Sequence, residues 1–123
     1  MTIQEALTRV DALKPNSYPQ DTKVGWLSRI DGIIKQEIID THEGGEDIAF
    51  DGYDHDTNLS TKLIVSSPHD ELYIKWLEAQ IDYANGEIGK YNNGMAMFNA
   101  AYSDYFRHYN RLHMPKGTKL KYF

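Results

Sequence analysis

The sequence predicts an all-α fold: a small helical bundle with one long C-terminal helix, or a helical hairpin in its place, and a long acidic loop with room for a short β-hairpin. Three observations predict it. A capping-box start leads into apolar residues at i, i+4 and i+7. A seam of apolar and aromatic residues, spaced alternately four and three apart, runs from Leu77 to Tyr109. Between Glu37 and Lys62 no basic residue interrupts a series of acids. With 123 residues, 41% hydrophobic and 12% aromatic, the chain fits one domain, 1–123, and can bury a core.

The first helix is expected over 2–13. Thr2 and Glu5 have the capping-box spacing, and Ile3, Leu7 and Val10 form the apolar stripe with Ala6 and Leu13 beside it. Pro15 and Pro19 end it. A second helix is expected over 21–43, capped by Asp21 or Thr22. Its apolar set, Val24, Trp26, Leu27, Ile30, Ile33, Ile34, Ile38 and Ile39, covers more than one stripe, so it should be heavily buried. Gly25 and Gly32 each weaken a helix by ~1 kcal/mol relative to Ala and suggest close backbone approach. Gly44-Gly45 is the stop.

Residues 44–67 read as the acidic loop. Asp47–Phe50 and Lys62–Val65 could pair as short strands. Ser66-Ser67-Pro68 reads as an N-cap followed by proline at the first helical position. The seam then passes through Leu77, Ile81, Ala84, Ile88, Tyr91, Met95, Phe98, Tyr102, Tyr105 and Tyr109. Its phase is kept across Asn85-Gly86, which favours one long or kinked helix over 70–111, roughly 60 Å long. A hairpin stopped at Asn85-Gly86 is the alternative. A helix of that length cannot be covered by so small a domain, so part of its seam would pack on another chain. Residues 114–123 form a basic tail ending in Tyr122 and Phe123.

Composition excludes several function classes. The chain has no cysteine, so disulfide scaffolds, thiolate metal sites and cysteine nucleophiles are out. A formal net charge of -5 argues against a generic nucleic-acid coat. No run approaches the ~18–20 apolar residues of a membrane span. The first residues lack the basic and apolar regions of a signal peptide. Asp54, Asp56 and Asn58 match the first ligand spacings of a calcium loop, but Leu59 and Val65 occupy the glycine and bidentate-glutamate positions. His42-Glu43 lacks the second histidine of a zincin. His108 and His113 are five apart, which splays them around a helix. Gly86, Gly89 and Gly94 follow no strand, and the serines form no nucleophile elbow. No catalytic, cofactor-binding or metal-ligating residue is therefore expected, and no enzyme activity.

Charge is divided along the chain. Asp47, Asp51, Asp54 and Asp56 lie in the acidic loop, and Arg107, Arg111, Lys116, Lys119 and Lys121 follow Asp104 with no acid among them. Loop and tail are complementary, as in a heterologous contact that closes a ring. Tyrosine suits such interfaces because it buries a ring and keeps its hydroxyl wet.

A family resemblance rests on particular segments. They are Trp26-Leu27-Ser28-Arg29-Ile30-Asp31, Asp40-Thr41-His42, Ser67-Pro68-His69-Asp70-Glu71-Leu72-Tyr73, and Trp76-Leu77-Glu78-Ala79-Gln80-Ile81-Asp82-Tyr83. Tyr91-Asn92-Asn93, Met97-Phe98-Asn99, Tyr102, Tyr109-Asn110-Arg111 and His113-Met114-Pro115-Lys116 complete them. Over most of its length, the acidic loop apart, the chain resembles the head–tail connector, or head-completion adaptor, family of tailed phages and prophages. The resemblance implies a mostly helical virion protein, present in the host cytoplasm during assembly. It implies a homo-oligomeric ring, commonly twelve-fold, docked on the portal protein, extending the DNA channel without specific DNA binding and offering a platform to tail-completion proteins. It carries no catalytic residue and no membrane association. Residues 114–123 are the segment expected to engage the portal.

Three groups are thus expected to carry the function. Tyr91, Met95, Phe98, Tyr102, Tyr105, Phe106 and Tyr109 would form the subunit interface. Asp47, Asp51, Asp54 and Asp56 would form a contact loop. Lys116, Lys119, Lys121, Tyr122 and Phe123 would form the portal-docking tail. The alternative is a small helical interaction or regulatory protein that dimerises through the seam.

Overall fold

The computed structural model describes residues 1–116. Its order is α1 (Ile3–Leu13), α2 (Gln20–Ile34), a π-helical turn (Lys35–Ile39), a short 3-10 turn (Gly45–Asp47), α3 (Glu71–Ala84) and α4 (Ile88–Leu112). The all-α helical bundle expected from the sequence is the fold observed.

α1 starts as its sequence requires. The Thr2 hydroxyl accepts from the Glu5 amide at 3.1 Å, and the Glu5 carboxylate accepts from the Thr2 amide at 3.3 Å. Such a cap contributes about 1 kcal/mol. Ile3, Ala6, Leu7 and Val10 are all buried. α2 begins at Gln20 behind Pro19, without a side-chain cap from Asp21 or Thr22. After Ile34 the helix widens. The Asp40 amide reaches back five residues to the Lys35 carbonyl at 2.8 Å. Ile38 and Ile39 are both buried at this widened turn. The expected helix to residue 43 therefore ends at Ile39.

The expected hairpin between 47–50 and 62–65 does not form. No strand ladder occurs among the described residues. Lys62 instead makes an isolated bridge with Thr2, flanked by Ile3 N–H to Thr61 O and Leu63 N–H to Met1 O, both 3.0 Å. Leu63 and Val65 drop into the core. Their burial ties this segment to the start of α1, where an exposed partner strand could not hold it. α3 also starts later than the Ser-Ser-Pro signal implied, because Ser66–His69 closes a turn of its own (His69 N–H to Ser66 O, 3.1 Å).

The single helix over 70–111 is corrected to an antiparallel hairpin of α3 and α4. Gly86 adopts φ 77°. The Glu87 amide bonds the Asp82 carbonyl at 2.9 Å and the Gly86 amide bonds the Tyr83 carbonyl at 3.0 Å. Those two bonds are the Schellman helix end, and glycine adopts its left-handed residue without a Cβ penalty. Folding back lets the seam bury itself. Trp76 packs on Phe98 with ring centroids 5.2 Å apart, and Tyr83 packs on Tyr91 at 5.0 Å. The close approach expected at Gly25 and Gly32 lies elsewhere. Gly25 has no atom within 4 Å of where a Cβ would be, and Gly32 meets only the Phe50 ring at 3.8 Å. At Gly94 that position is 3.2 Å from Ala79 Cβ, so α3 and α4 touch there through small residues.

α3 is the centre of the bundle. Leu72, Tyr73, Ile74, Trp76, Leu77, Ala79 and Ile81 are buried on nearly every side, because α1, α2 and α4 all pack against this helix.

Candidate functional site

The helices are locked together by a buried carboxylate. Asp31 sits on the apolar stripe of α2 and is fully buried. Its Oδ1 accepts from the Tyr73 hydroxyl at 2.5 Å. Its Oδ2 accepts from the Tyr53 hydroxyl at 2.6 Å and from the Ile64 amide at 3.1 Å. The Tyr73 hydroxyl in turn accepts from the Val65 amide at 2.8 Å. One carboxylate thus ties α2 to α3 and to the acidic loop at Tyr53 and Ile64. Desolvation raises its pKa above the ordinary 3.8, opposed by the donors from Tyr53, Tyr73 and Ile64. Burial, and then the charge of Asp31, push the Tyr53 and Tyr73 phenols upward.

His42 is a second internal tie. It is buried, its Nδ1 donates to the Ile38 carbonyl, and its Nε2 meets the Asn110 side-chain amide. The ring is boxed by Tyr109 at 4.9 Å and Phe106 at 6.2 Å. The end of α4 is therefore held to the end of the α2 segment.

Between α2 and the α3–α4 hairpin lies an open groove of about 360 Å3. Ile30 and Ile33 form one wall, Tyr91, Met95 and Tyr102 the other, with Trp76 and Phe98 at the floor. The Trp76 indole donates to the Trp26 carbonyl at 2.8 Å, which fixes the floor. The Tyr102 hydroxyl donates to Glu37 at 2.6 Å across the groove. Burial, followed by Glu37, raises the Tyr102 phenol. The exposed Arg29 completes the rim. Aromatic walls with a polar rim suit an apolar protein segment.

The residues expected at a subunit interface divide into two sets. Phe98, Tyr105 and Tyr109 are only 4%, 6% and 6% exposed and belong to the chain's own core. Tyr91, Met95 and Tyr102 are half-buried and line the groove, while Phe106 is half-buried against His42. Positions expected to face another chain face their own: Phe98 meets Trp76 of α3, Tyr105 lies beside His69, and Tyr109 packs on His42.

Asp47, Asp51, Asp54 and Asp56 are all exposed. Their loop is anchored at its base, where the Tyr53 amide donates to the Ser28 hydroxyl at 2.9 Å and Phe50 packs on Tyr53. Lys116 is exposed, donates its amide to the Thr41 carbonyl at 2.8 Å and brings its ammonium to 3.8 Å from Glu46. Acidic loop and basic segment thus meet at one end of a single chain. Lys119, Lys121, Tyr122 and Phe123 lie outside the described residues.

The histidines converge as their spacing did not suggest. His113 has φ -133° and ψ 138°, so it leaves the helical register that would splay it from His108. His69, His108 and His113 line one cavity of about 280 Å3 beside Tyr105 and Tyr109.

Sequence reasoning passed over Asp31 and His42 as sites. The signal for Asp31 was a lone carboxylate between Leu27, Ile30 and Ile34 on an apolar stripe. For His42 no local signal exists, since Asn110 is distant in sequence. Among the described residues no helix is long and apolar enough to cross a membrane. No family model, curated protein or solved structure matches this chain in comparisons with known proteins.

Proposed function

We propose that this chain is a head–tail connector: a structural protein of a tailed phage or prophage particle that assembles as a ring on the portal, around the DNA channel. The observation that carries this reading is the groove. Tyr91, Met95 and Tyr102 keep an apolar and aromatic wall open to solvent after the chain has filled its own core. A concave, half-buried aromatic groove of this kind suits an apolar segment of a partner chain. The sequence resemblance supplies the kind of assembly. Lys116 already meets Glu46 within the chain, which leaves the exposed Asp47, Asp51, Asp54 and Asp56 as an acidic surface for a neighbour, and a net charge of -5 suits a channel wall that must let DNA pass.

In this reading the groove takes an apolar segment of the adjacent subunit, the acidic loop sets the ring contact, and the basic tail engages the portal. The test images the purified chain by negative stain, beside the double variant Tyr91→Ala/Met95→Ala. Rings formed by the wild-type chain and lost in a variant that still melts cooperatively support the proposal. Rings that survive the double variant remove the groove from the account, and the lack of any ring with or without portal protein removes the connector reading.

A further inference from the structure

Residues 1–116 leave the groove open, and the chain then departs beside it. Met114, Pro115 and Lys116 run antiparallel to Thr41, His42 and Glu43. The Glu43 amide donates to the Met114 carbonyl at 2.9 Å, Pro115 bridges His42, and the Lys116 amide donates to the Thr41 carbonyl at 2.8 Å. The Thr41 hydroxyl donates to the Glu37 carbonyl at 3.0 Å. Residue 117 therefore starts one helical turn from Glu37, the acid on the groove wall. From Thr41 back to Ile30 is about 16 Å along the helix, and residues 117–123 span up to about 23 Å when extended. Groove and segment also match in order. From the departure point the groove presents the exposed Glu37, with Asp40 and Glu43 exposed beside it, then Ile33, Met95 and Phe98, and last the exposed Arg29. The segment Gly117-Thr118-Lys119-Leu120-Lys121-Tyr122-Phe123 carries lysines and no acid, and then aromatics.

We propose that residues 117–123 occupy the groove of their own chain and cover it until the portal draws them away. Release by the portal rests on the connector reading above; the seating in the groove does not. Lys119 and Lys121 are placed beside the acids at the near end. Leu120 and Tyr122, two apart and so on one face of an extended segment, fill the apolar stretch between Ile33 and Met95. The aromatic residues reach the far end, where a ring face suits the Arg29 guanidinium. A segment tethered at Lys116 is present at its own groove at an effective concentration on the order of millimolar. It therefore holds the groove against a neighbouring copy at micromolar concentration. When the portal takes the segment, Tyr91, Met95 and Tyr102 are bared for the adjacent subunit, and ring growth is confined to the portal.

The chain has no cysteine, so a pair of introduced cysteines reports one contact. Met95→Cys, in the groove, is combined in the full chain with Leu120→Cys, Tyr122→Cys or Phe123→Cys. Met97→Cys is the control, exposed on another face of α4 beside Lys14, Lys75 and Asp82. Mild oxidation at micromolar protein is read by mass without reductant. A disulfide within one chain is expected from Met95→Cys and none from Met97→Cys, since bridged Cα atoms must lie within about 7 Å. Leu120→Ser/Tyr122→Ser is expected to lower the concentration at which rings form about tenfold, with circular dichroism reporting an intact helical fold. Disulfides formed only between chains seat the neighbour's segment in the groove and overturn the proposal. The absence of any disulfide, or equal yields from Met95→Cys and Met97→Cys, overturns it as well. Ring formation unchanged by Leu120→Ser/Tyr122→Ser overturns the gating. A disulfide within one chain that forms no ring, with or without portal protein, upholds the seating and removes the connector reading instead.

Discussion

Replacing Asp31 by asparagine changes one oxygen to an NH2 group at the centre of the bundle. The carboxylate accepts from three donors, two on Oδ2 and one on Oδ1. If the amide NH2 takes the Oδ2 position, it faces the Ile64 N–H donor-to-donor. If it takes the Oδ1 position, it meets the Tyr73 hydroxyl, which already accepts from Val65 and then has nowhere to send its own proton. Either orientation leaves a buried donor unpaired, at a cost of about 2 kcal/mol. For a domain of this size that lowers Tm by about 6–8 °C. The pH dependence follows from the raised carboxyl. The native chain binds that proton more tightly than the unfolded chain, whose carboxyl has the ordinary value of 3.8. Asp31 therefore contributes stability that is largest in acid and declines as pH rises from about 3.8 through the raised value. The difference between wild type and Asp31→Asn should widen between about pH 7 and pH 4. Thermal melts by circular dichroism at both pH values read this. A variant that melts with the wild type at both would refute the role given to Asp31.

Four further substitutions separate core from groove and from turn. Phe98→Ala should cost about 3 kcal/mol, since the ring is 4% exposed and packs on Trp76; Tyr91→Ala, at a half-exposed position, should cost under about 1 kcal/mol in the same denaturant titration. Gly94→Val should lose about 1–3 kcal/mol by overpacking, because its Cβ would start 3.2 Å from that of Ala79. Gly86→Ala meets no neighbouring atom within 4 Å, so its expected cost of about 1–2 kcal/mol is conformational, from φ 77° alone. Chemical denaturation with an unchanged m-value checks both glycines.

What the sequence made legible was local. The capping box and stripe of α1 are seen as read, while α2 buries one face through Val24, Leu27, Ile30 and Ile34 and leaves Gly25 and Arg29 exposed. The helical seam was read correctly in period but not in path. A period of alternating three and four residues is equally satisfied by one helix and by two helices whose facing stripes happen to continue in phase. The Asn85-Gly86 pair held the deciding information, since a glycine at a Schellman position ends a helix whatever the phase beyond it. The hairpin expected in the loop failed because Leu63 and Val65 gain more by filling the core than by pairing with an exposed segment. The glycines misled for a related reason: Gly25 and Gly32 were read from helix propensity, whereas the close contact at Gly94 depends on where α3 lies.

The candidate site shows the same division. Tyr91, Met95 and Tyr102 were marked by the seam and do line the groove. Phe98, Tyr105 and Tyr109 carry the same pattern and are interior, because periodicity tells which face is apolar and not what covers it. The histidine cluster needed the helix to end at Leu112, and spacing alone placed His108 and His113 apart. Asp31 needed Tyr53, Ile64 and Tyr73, which the sequence does not show to be neighbours.

The central claim is that the groove left open beside Tyr91, Met95 and Tyr102 is a contact between subunits of a ring. The native mass of the purified chain, measured by light scattering on a sizing column across a concentration range, tests it most directly. The account predicts a closed assembly near twelve subunits, populated increasingly with concentration and depleted in Tyr91→Ala/Met95→Ala. A dimer at every concentration would contradict it, as would a monomer that forms no ring when portal protein is added.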